Sequence, residues 1–474
     1  MKKNRFLLLA SILFCLSSCS YFDGFLDNFS SSNYGSLIID SSTTSNNQKS
    51  SSVTETPYKN ISPLHQALTD DPDFQVGLPS SGDVKVLVIP VQIGNKTFSN
   101  EDLEKIDIAF NGTSKETGYE SVCSYYNKVS KGALNMEAVI TPIFDTGKTQ
   151  AYYELAYSTG KDIDRDILNN ALLLLDDYYD LSMFDYNKDS YIDGIYLIYS
   201  CDYSTETTSP WWAWCYDYVK NTNTYDGTKT NLFVWASISF LDDPLNERTR
   251  INVNAETLIH ETGHLFYLDD YYDYDDSKGP KGGLGGAAMM DSNVGDHDSL
   301  SKLLLGWANF TIVEEEGTYT LNPSESSNDC LIIPLRDNEN DILGEYLLID
   351  YYTPTGLNKL QAGHYGLFSK SGVRIYHVDA RIDSNIGYPK NISGYYTIFS
   401  YNNSDTEHKL IDMIEFDNNN SIAYTDYASN SDLFPSNTSL MSYYNYDGEK
   451  LGYTISIGRL GDSVKITVTK KEGN

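Results

Sequence analysis

Apolar, β-branched runs alternate with helix-forming segments in the first two thirds of the chain, and this alternation restricts the fold more than any other feature. Residues 84–91 (Val-Lys-Val-Leu-Val-Ile-Pro-Val) predict a strand that is buried on both faces. Residues 162–179 carry apolar side chains at helical spacing and predict a long helix. Further strands are predicted at 134–143, 192–199 and 232–241, and further helices at 101–110 and 120–129. Strands alternating with helices favour an α/β (α+β) domain around a mixed sheet.

The pattern changes near residue 310. Short strand-like runs separated by turn residues follow, at 318–321, 330–335, 346–351, 373–378, 453–457 and 464–468. They predict a β-rich C-terminal domain over residues 311–474, after a first domain over residues 61–310. His377 lies in one of these runs, where a structural role is favoured over metal ligation.

The first residues resemble a bacterial export signal. Three basic residues precede an apolar run at 6–16, which is too short to span a membrane. The run ends in Leu16-Ser17-Ser18-Cys19, which resembles the lipoprotein box, where cleavage precedes the cysteine and its thiol receives lipid. The resemblance implies a signal peptide over residues 1–18 and a lipid anchor at Cys19 on the extracellular face of a bacterial membrane. Release of the protein as a secreted form remains an alternative to anchoring.

The segment after this signal predicts a spacer. Residues 19–60 are rich in serine, asparagine and threonine and cannot bury much apolar surface, so we expect a flexible stalk. Beyond it the chain keeps four cysteines, for which disulfide pairing and free thiols both remain open: Cys123, Cys201, Cys215 and Cys330.

The charge balance excludes one class of partner. The chain has 34 Lys and Arg against 66 Asp and Glu, a formal net charge of −32. Such an acidic chain repels phosphate backbones, so we expect no nucleic-acid binding.

One acidic stretch predicts a calcium site. Between residues 185 and 193, side-chain oxygens stand at alternate positions, as at the start of a calcium loop. The pattern departs from an EF-hand because Ser190 replaces the turn glycine and a strand follows instead of a helix. The predicted Ca²⁺ ligands are Asp185, Asn187, Asp189 and Asp193, with the backbone carbonyl of Tyr191.

Residues 254–270 carry the reactive chemistry. Asn254 is a predicted helix cap, and His260 and His264 lie four residues apart, so both imidazoles project from one helix face. Two neutral imidazoles at that spacing suit Zn²⁺, which lowers the pKa of its water from about 15.7 to about 7. Glu261 points beside the metal, where it can take a proton from the attacking water and return it to a leaving amine.

A catalytic zinc site also needs a third protein ligand and one open position. From the residues alone, Asp269, Asp270, Asp273 and His297 are all candidates.

The segment resembles the immune inhibitor A type of secreted bacterial zinc metallopeptidase, a relative of the metzincins, whose helix reads His-Glu-x-x-His-x-x-Gly-x-x-Asp. The resemblance covers roughly residues 80–310 and implies a metzincin-like catalytic domain with Asp270 as the third ligand. The chain departs from the pattern at Tyr267, where the family has glycine. A tyrosine in a left-handed conformation would cost roughly 1–2 kcal/mol, so the turn is either built differently or strained.

Metzincins also place a methionine-bearing turn beneath the metal. The resemblance assigns this role to Met290, with Met289 as the alternative. Without the upstream motif, both would be interpreted as core methionines.

Together these features predict a cell-surface zinc-dependent endopeptidase acting on protein or peptide substrates. Residues 233–238 are expected to offer a sheet edge to an extended peptide, by analogy with metzincins. The run Trp211-Trp212-Ala213-Trp214 either lines the cleft or anchors a loop. The alternative functions are a non-catalytic adhesin or glycan-binding lipoprotein on a peptidase-like scaffold, and a metal-storage lipoprotein. The intact set of His260, Glu261 and His264 argues against both.

Overall fold

The computed structural model describes residues 35–38, 62–68, 77–206, 208–216, 222–230, 232–242, 253–275, 283–336, 341–363, 367–382, 390–392, 395–404, 408–422 and 427–471. The predicted signal peptide and Cys19 lie outside the described residues. Within the predicted stalk, Ser36–Ile38 is a strand that pairs antiparallel with Ile143–Asp145, so the prediction of a flexible segment is wrong for these three residues. In the described part of the chain, no helix is long and apolar enough to cross a bilayer.

A seven-stranded mixed sheet lies at the centre of the first part of the molecule. Its strands are Ser36–Ile38 (β1), Gly82–Gln92 (β2), Leu134–Ile140 (β3), Ile143–Asp145 (β4), Ile195–Tyr199 (β5), Trp214–Tyr216 (β6) and Phe233–Ser237 (β7). Their order is β1-β4-β2-β5-β7-β6, and β3 also pairs with β2. The central pairs are parallel, whereas β1 and β6 are antiparallel to their neighbours. The predicted mixed α/β layer is confirmed.

The α-helices are mostly short. They are Pro63–Leu68 (α1), Asn100–Asn111 (α2), Ser114–Thr117 (α3), Val122–Val129 (α4), Gln150–Ser158 (α5), Ile163–Leu175 (α6), Glu256–Leu265 (α7), Met289–Ser292 (α8), Ser299–Leu304 (α9) and Ser324–Ser327 (α10). Single 3₁₀ segments lie at Leu181–Phe184, Ile238–Asp242 and Gly356–Gly363. The long predicted helix therefore ends at Leu175, and the strand predicted to reach residue 241 turns into a 3₁₀ segment at Ile238.

Helices cover both faces of the sheet because β2 is apolar on both faces. Its alternate side chains enter two separate clusters of buried residues, Val84, Val86 and Val88 on one side and Leu87, Ile89 and Val91 on the other. The first cluster also contains the buried faces of α2, α4 and α7, and the second contains those of α5 and α6. The sheet thus fixes α7, the helix with the two histidines, on one face of a rigid layer.

The C-terminal part is rich in β-strands, as predicted. The strands are Asn309–Ile312 (β8), Gly317–Leu321 (β9), Asp329–Pro334 (β10), Glu345–Tyr352 (β11), Gly372–Asp379 (β12), Lys390–Ile392 (β13), Tyr395–Thr397 (β14), Ile411–Met413 (β15), Thr438–Leu440 (β16), Tyr453–Ile457 (β17) and Val464–Lys470 (β18). They form a five-stranded sheet β15-β12-β11-β10-β8, a four-stranded sheet β16-β17-β18-β9 and the hairpin β13-β14.

The two parts share a hydrophobic core. One cluster includes Leu258 and Phe266 from the region of α7 together with Tyr352 and Tyr376 from β11 and β12. The predicted domain boundary at residue 310 falls inside β8. The β-rich part therefore packs directly against the layer that carries α7.

The four cysteines beyond the predicted anchor are free thiols. Cys201 and Cys330 are buried, and burial raises the pKa of Cys123 to about 12. The open question of pairing is thus answered in favour of free thiols.

Candidate metal centre

Helix α7 places His260 and His264 on one face. Glu256 is its first residue, and its N–H donates to the side chain of Asn254 at 2.8 Å, so Asn254 supports the helix start from one position before the cap. Leu258, Ile259 and Leu265 bury the opposite face of the helix in the core. The two imidazole centroids lie 5.0 Å apart, as expected for residues one turn apart.

Backbone carbonyls determine which nitrogen of each histidine ring donates a hydrogen bond and which one is left to bind a metal. The Nδ1 atom of His260 lies 2.9 Å from the carbonyl of Met289, and the Nδ1 atom of His264 lies 2.8 Å from the carbonyl of Leu268. A carbonyl only accepts, so each Nδ1 donates and each neutral ring presents its Nε2 lone pair. This is the arrangement that holds metal-ligating histidines in position.

Asp270 joins the two histidines. Its Oδ1 atom lies 2.8 Å from Nε2 of His260 and 3.2 Å from Nε2 of His264. Burial disfavours the ionised carboxylate, but when the two rings are protonated, the charges of His264 and His260 outweigh burial and hold the pKa of Asp270 well below its usual range. With the three atoms within 4.8 Å of one another, these residues form a group that could hold a metal ion.

The chain reaches Asp270 through a left-handed residue. Tyr267 has φ +64°, its N–H donates to the carbonyl of His264 at 2.9 Å, and the N–H of Leu268 donates to that of Gly263 at 3.2 Å. These bonds end the helix in a Schellman motif, whose left-handed position is usually glycine. The turn therefore has the left-handed conformation that glycine usually adopts at this position, with tyrosine in the strained place.

The other candidates for the third ligand point elsewhere. The side chain of Asp269 bonds to Thr397, and Asp273 accepts the N–H of Asp275 at 2.8 Å. His297 is buried, with its Nε2 atom 3.3 Å from the hydroxyl of Tyr126.

Glu261 lies beside the cluster and is only 7% exposed. Burial raises the pKa of its carboxyl, against the lowering effect of the His260 and His264 charges and of the backbone N–H of Cys215 in β6. A carboxylate with a raised pKa next to candidate metal ligands is suited to accept and return a proton near neutral pH.

Both predicted methionines take part, in different ways. The thioether of Met290 packs under α7 at Gly263, where a β-carbon would come within 2.3 Å of its sulfur. The carbonyl of Met289 binds His260. Met290 therefore packs directly against α7, and glycine at 263 permits the close approach. Its role as the methionine beneath a metal stays a prediction.

The predicted sheet edge is wrong. Strand β7, which covers most of residues 233–238, pairs with β5 on one side and β6 on the other, and all its residues are buried. In the described sheet, the strand at the end next to α7 is β6. Of the tryptophans considered for the cleft, Trp211 is 1% exposed and donates to Glu154 at 3.1 Å, so it anchors a loop.

The predicted calcium loop is a tight turn before β5. Asp185 accepts backbone hydrogen bonds from Asp189 and Ser190, both at 3.1 Å. One oxygen of Asp193 accepts the N–H of Tyr186 at 2.7 Å, and the other is buried without a hydrogen-bond partner.

Asp189 is bound within the same loop. It accepts from the Asn187 amide at 3.0 Å and from the Tyr191 N–H at 2.8 Å, and burial raises its pKa to about 6. The carboxylates of Asp185, Asp189 and Asp193 do not form a group with oxygens within 4.8 Å of one another. Calcium binding at this loop stays a prediction.

A second carboxylate group and one residue of the candidate centre were not predicted from the sequence. Glu415, Asp417 and Asp432 bring oxygens within 4.8 Å of one another, and oxygen-bearing residues at alternate positions from 415 were the available signal. Tyr274, whose hydroxyl donates to Oδ2 of Asp270, had no signal beyond its place after the motif.

His377 has the expected structural role. Its Nε2 atom lies 2.9 Å from Glu345, and its Nδ1 atom lies 3.1 Å from the hydroxyl of Tyr443. Both nitrogens are thus engaged within the C-terminal part.

Comparison of the chain with known protein families and with curated protein sequences gives no match.

Proposed function

We propose that this protein is a zinc-dependent endopeptidase whose metal ligands are His260, His264 and Asp270. The observation that supports this is the convergence of three acceptor atoms, Nε2, Nε2 and Oδ1, at 2.8 and 3.2 Å. Acceptors at these separations repel one another unless protons or a cation lie between them. Four ligands about 2.0–2.1 Å from a tetrahedral ion are roughly 3.3 Å apart, so small movements would accommodate Zn²⁺.

Glu261 is the proposed general base and then general acid. A bound Zn²⁺ would supply Lewis-acid polarisation and make water acidic enough to react at neutral pH. Glu261 takes the proton from the attacking water and delivers it to the amine that leaves. Its burial and the Cys215 N–H hold the carboxylate beside the metal group.

The peptide is proposed to add to β6. This strand lies next to β7 at the end of the described sheet order, and its Cys215 N–H points at Glu261. An extended peptide paired with such an edge would bring its scissile bond past Glu261.

The cellular setting is also a proposal. A lipid anchor at Cys19 would hold the enzyme at the extracellular face of a bacterial membrane, where protein substrates reach it. The net charge of −32 would favour the approach of basic segments.

The test is proteolysis by a soluble form that begins after Cys19. Unfolded casein is incubated with wild type, Glu261→Gln and Glu256→Gln, and the zinc content of each is measured. Glu256 lies in the first turn of the same helix, so its variant makes the same chemical change away from the cluster. We expect cleavage by wild type and by Glu256→Gln, a loss of at least about 100-fold in Glu261→Gln, and about one zinc in all three.

Wild type that holds no zinc and cuts nothing would refute the peptidase proposal. In that case the non-catalytic binding lipoprotein becomes the better interpretation.

A further inference from the structure

The geometry points to Tyr274 as a positioning residue that keeps Asp270 a one-oxygen ligand and so leaves one coordination position open. The inference extends the proposed function, because it assumes that a metal binds to His260, His264 and Asp270. The sequence motif does not include Tyr274.

The two oxygens of Asp270 have different partners. Oδ1 lies between the two histidine Nε2 atoms, whereas Oδ2 accepts a hydrogen bond from the hydroxyl of Tyr274. The carboxylate is only 6% exposed, so water does not readily replace the tyrosine.

Tyr274 is itself held in place. Its backbone N–H donates to Oγ of Ser404 at 2.7 Å, and its ring packs edge-on against Tyr272 with centroids 4.7 Å apart. Ser404 is fully buried, and its own N–H donates to the side chain of Asn402 at 3.0 Å. Residues 402–404 of the β-rich part therefore hold Tyr274 where its hydroxyl contacts Asp270.

This contact has a chemical consequence for coordination. A carboxylate can bind a metal ion through one oxygen or through both. A hydrogen bond to Oδ2 stabilises that oxygen away from the ion and restricts Asp270 to Oδ1. A catalytic site needs three protein ligands and a free position, and a carboxylate that bound through both oxygens would occupy that position.

The test compares Tyr274→Phe with wild type and with Tyr178→Phe. Tyr178 is 58% exposed, so its variant makes the same chemical change on the surface. Zinc affinity is measured by competition with a chelating dye, and the visible spectrum of the Co²⁺ form reports coordination number, because four-coordinate Co²⁺ absorbs more strongly than higher-coordinate Co²⁺. Thermal unfolding of each metal-free protein reports folding.

We expect Tyr274→Phe to bind zinc 10- to 100-fold more weakly and to show a weaker Co²⁺ absorption band, with unfolding close to wild type. Ser404→Ala leaves the Tyr274 hydroxyl in place but removes the acceptor of the Tyr274 backbone N–H. It should change both readouts in the same direction by a smaller amount. Tyr178→Phe should match wild type.

Two results would overturn the inference, and they differ. If wild type binds zinc and Tyr274→Phe binds it within threefold with an unchanged Co²⁺ spectrum, the positioning role is wrong and the proposed metal centre survives. If wild type binds neither metal, the metal centre and the inference fail together.

Discussion

Tyr267 and Ser190 both stand where a family pattern has glycine, and both adopt left-handed backbone, with φ +64° and +72°. The turn is fixed in each case by hydrogen bonds around it, so the side chain is carried into a conformation that glycine would adopt without strain. At Tyr267 this turn determines whether Asp270 reaches the histidines. The strained residue is thus required for His260, His264 and Asp270 to form the candidate metal centre.

Replacing Tyr267 by glycine and by alanine should separate the backbone strain from the packing of the ring. Both variants lose the ring, which packs against the core, so their difference reports the backbone alone. We expect Tyr267→Gly to have a free energy of unfolding about 1 kcal/mol higher than Tyr267→Ala. Urea unfolding of the two variants measures this. Equal stability, or greater stability of the alanine variant, would show that the turn relaxes.

The sequence predicted residues of the candidate centre wherever helix geometry alone decides the outcome. The spacing of His260 and His264 determines that they share a face. Asp270 was one of four candidates from the residues and was selected only by a resemblance, because its position depends on the turn at Tyr267. The carbonyls of Met289 and Leu268 come from backbone that has no side-chain signature, and the sequence could not predict them.

At the scale of elements, the sequence predicted where most strands lie but not which strands pair with each other in the sheet. The apolar run Phe-Val-Trp-Ala at the start of β7 predicts a strand buried on both faces, which is what an interior strand requires. This pattern favours an interior strand over the edge strand that was predicted. The strand that lies beyond it, β6, has only three residues and no periodicity that could identify it.

Helix α1 supplies a prediction about pH. His65 lies on its buried face with Leu64 and Leu68, and burial, partly offset by the carbonyl of Phe266, lowers the pKa of His65 to about 4. Since the unfolded chain has a histidine pKa of about 6.5, it binds a proton between pH 6.5 and 4 that the folded protein does not. Stability should therefore be complete above this window and fall as the pH drops through it.

The variant His65→Leu removes this proton uptake. Between pH 7 and pH 5, wild type should lose about 2 kcal/mol more unfolding free energy than the variant does. Urea unfolding of both proteins at the two pH values measures the difference, and titrations elsewhere in the chain cancel in the comparison. Parallel losses in the two proteins would mean that His65 is protonated in the folded state.

At the scale of the whole molecule, the β-rich part helps to build the candidate metal centre. Three contacts join it to the loop after α7: Thr397 bonds to Asp269, the Asn403 amide donates to the carbonyl of Tyr271 at 2.9 Å, and Ser404 accepts the N–H of Tyr274. The sequence predicted both parts and the approximate change between them. It could not predict that they share a core, because contacts between distant segments leave no periodic pattern.

We therefore expect that residues 61–310 do not fold alone. Cutting at the predicted boundary divides β8 and exposes the side of the core that packs against β11 and β12. It also removes the Leu357 carbonyl, which accepts from the Tyr119 hydroxyl at 2.6 Å, and the Asn328 amide, which donates to the Val129 carbonyl at 2.8 Å. Each buried polar group left without a partner costs about 1–3 kcal/mol, a large share of the 5–15 kcal/mol that stabilises a typical domain. Near-ultraviolet circular dichroism during heating should show a cooperative transition in the chain from residue 61 to its end and none in the fragment. Zinc content, measured in parallel, should show bound metal in the longer protein only. A fragment that melts cooperatively and holds one zinc would mean that the first part is an independent domain and that the contacts of residues 397–404 are dispensable for the metal group.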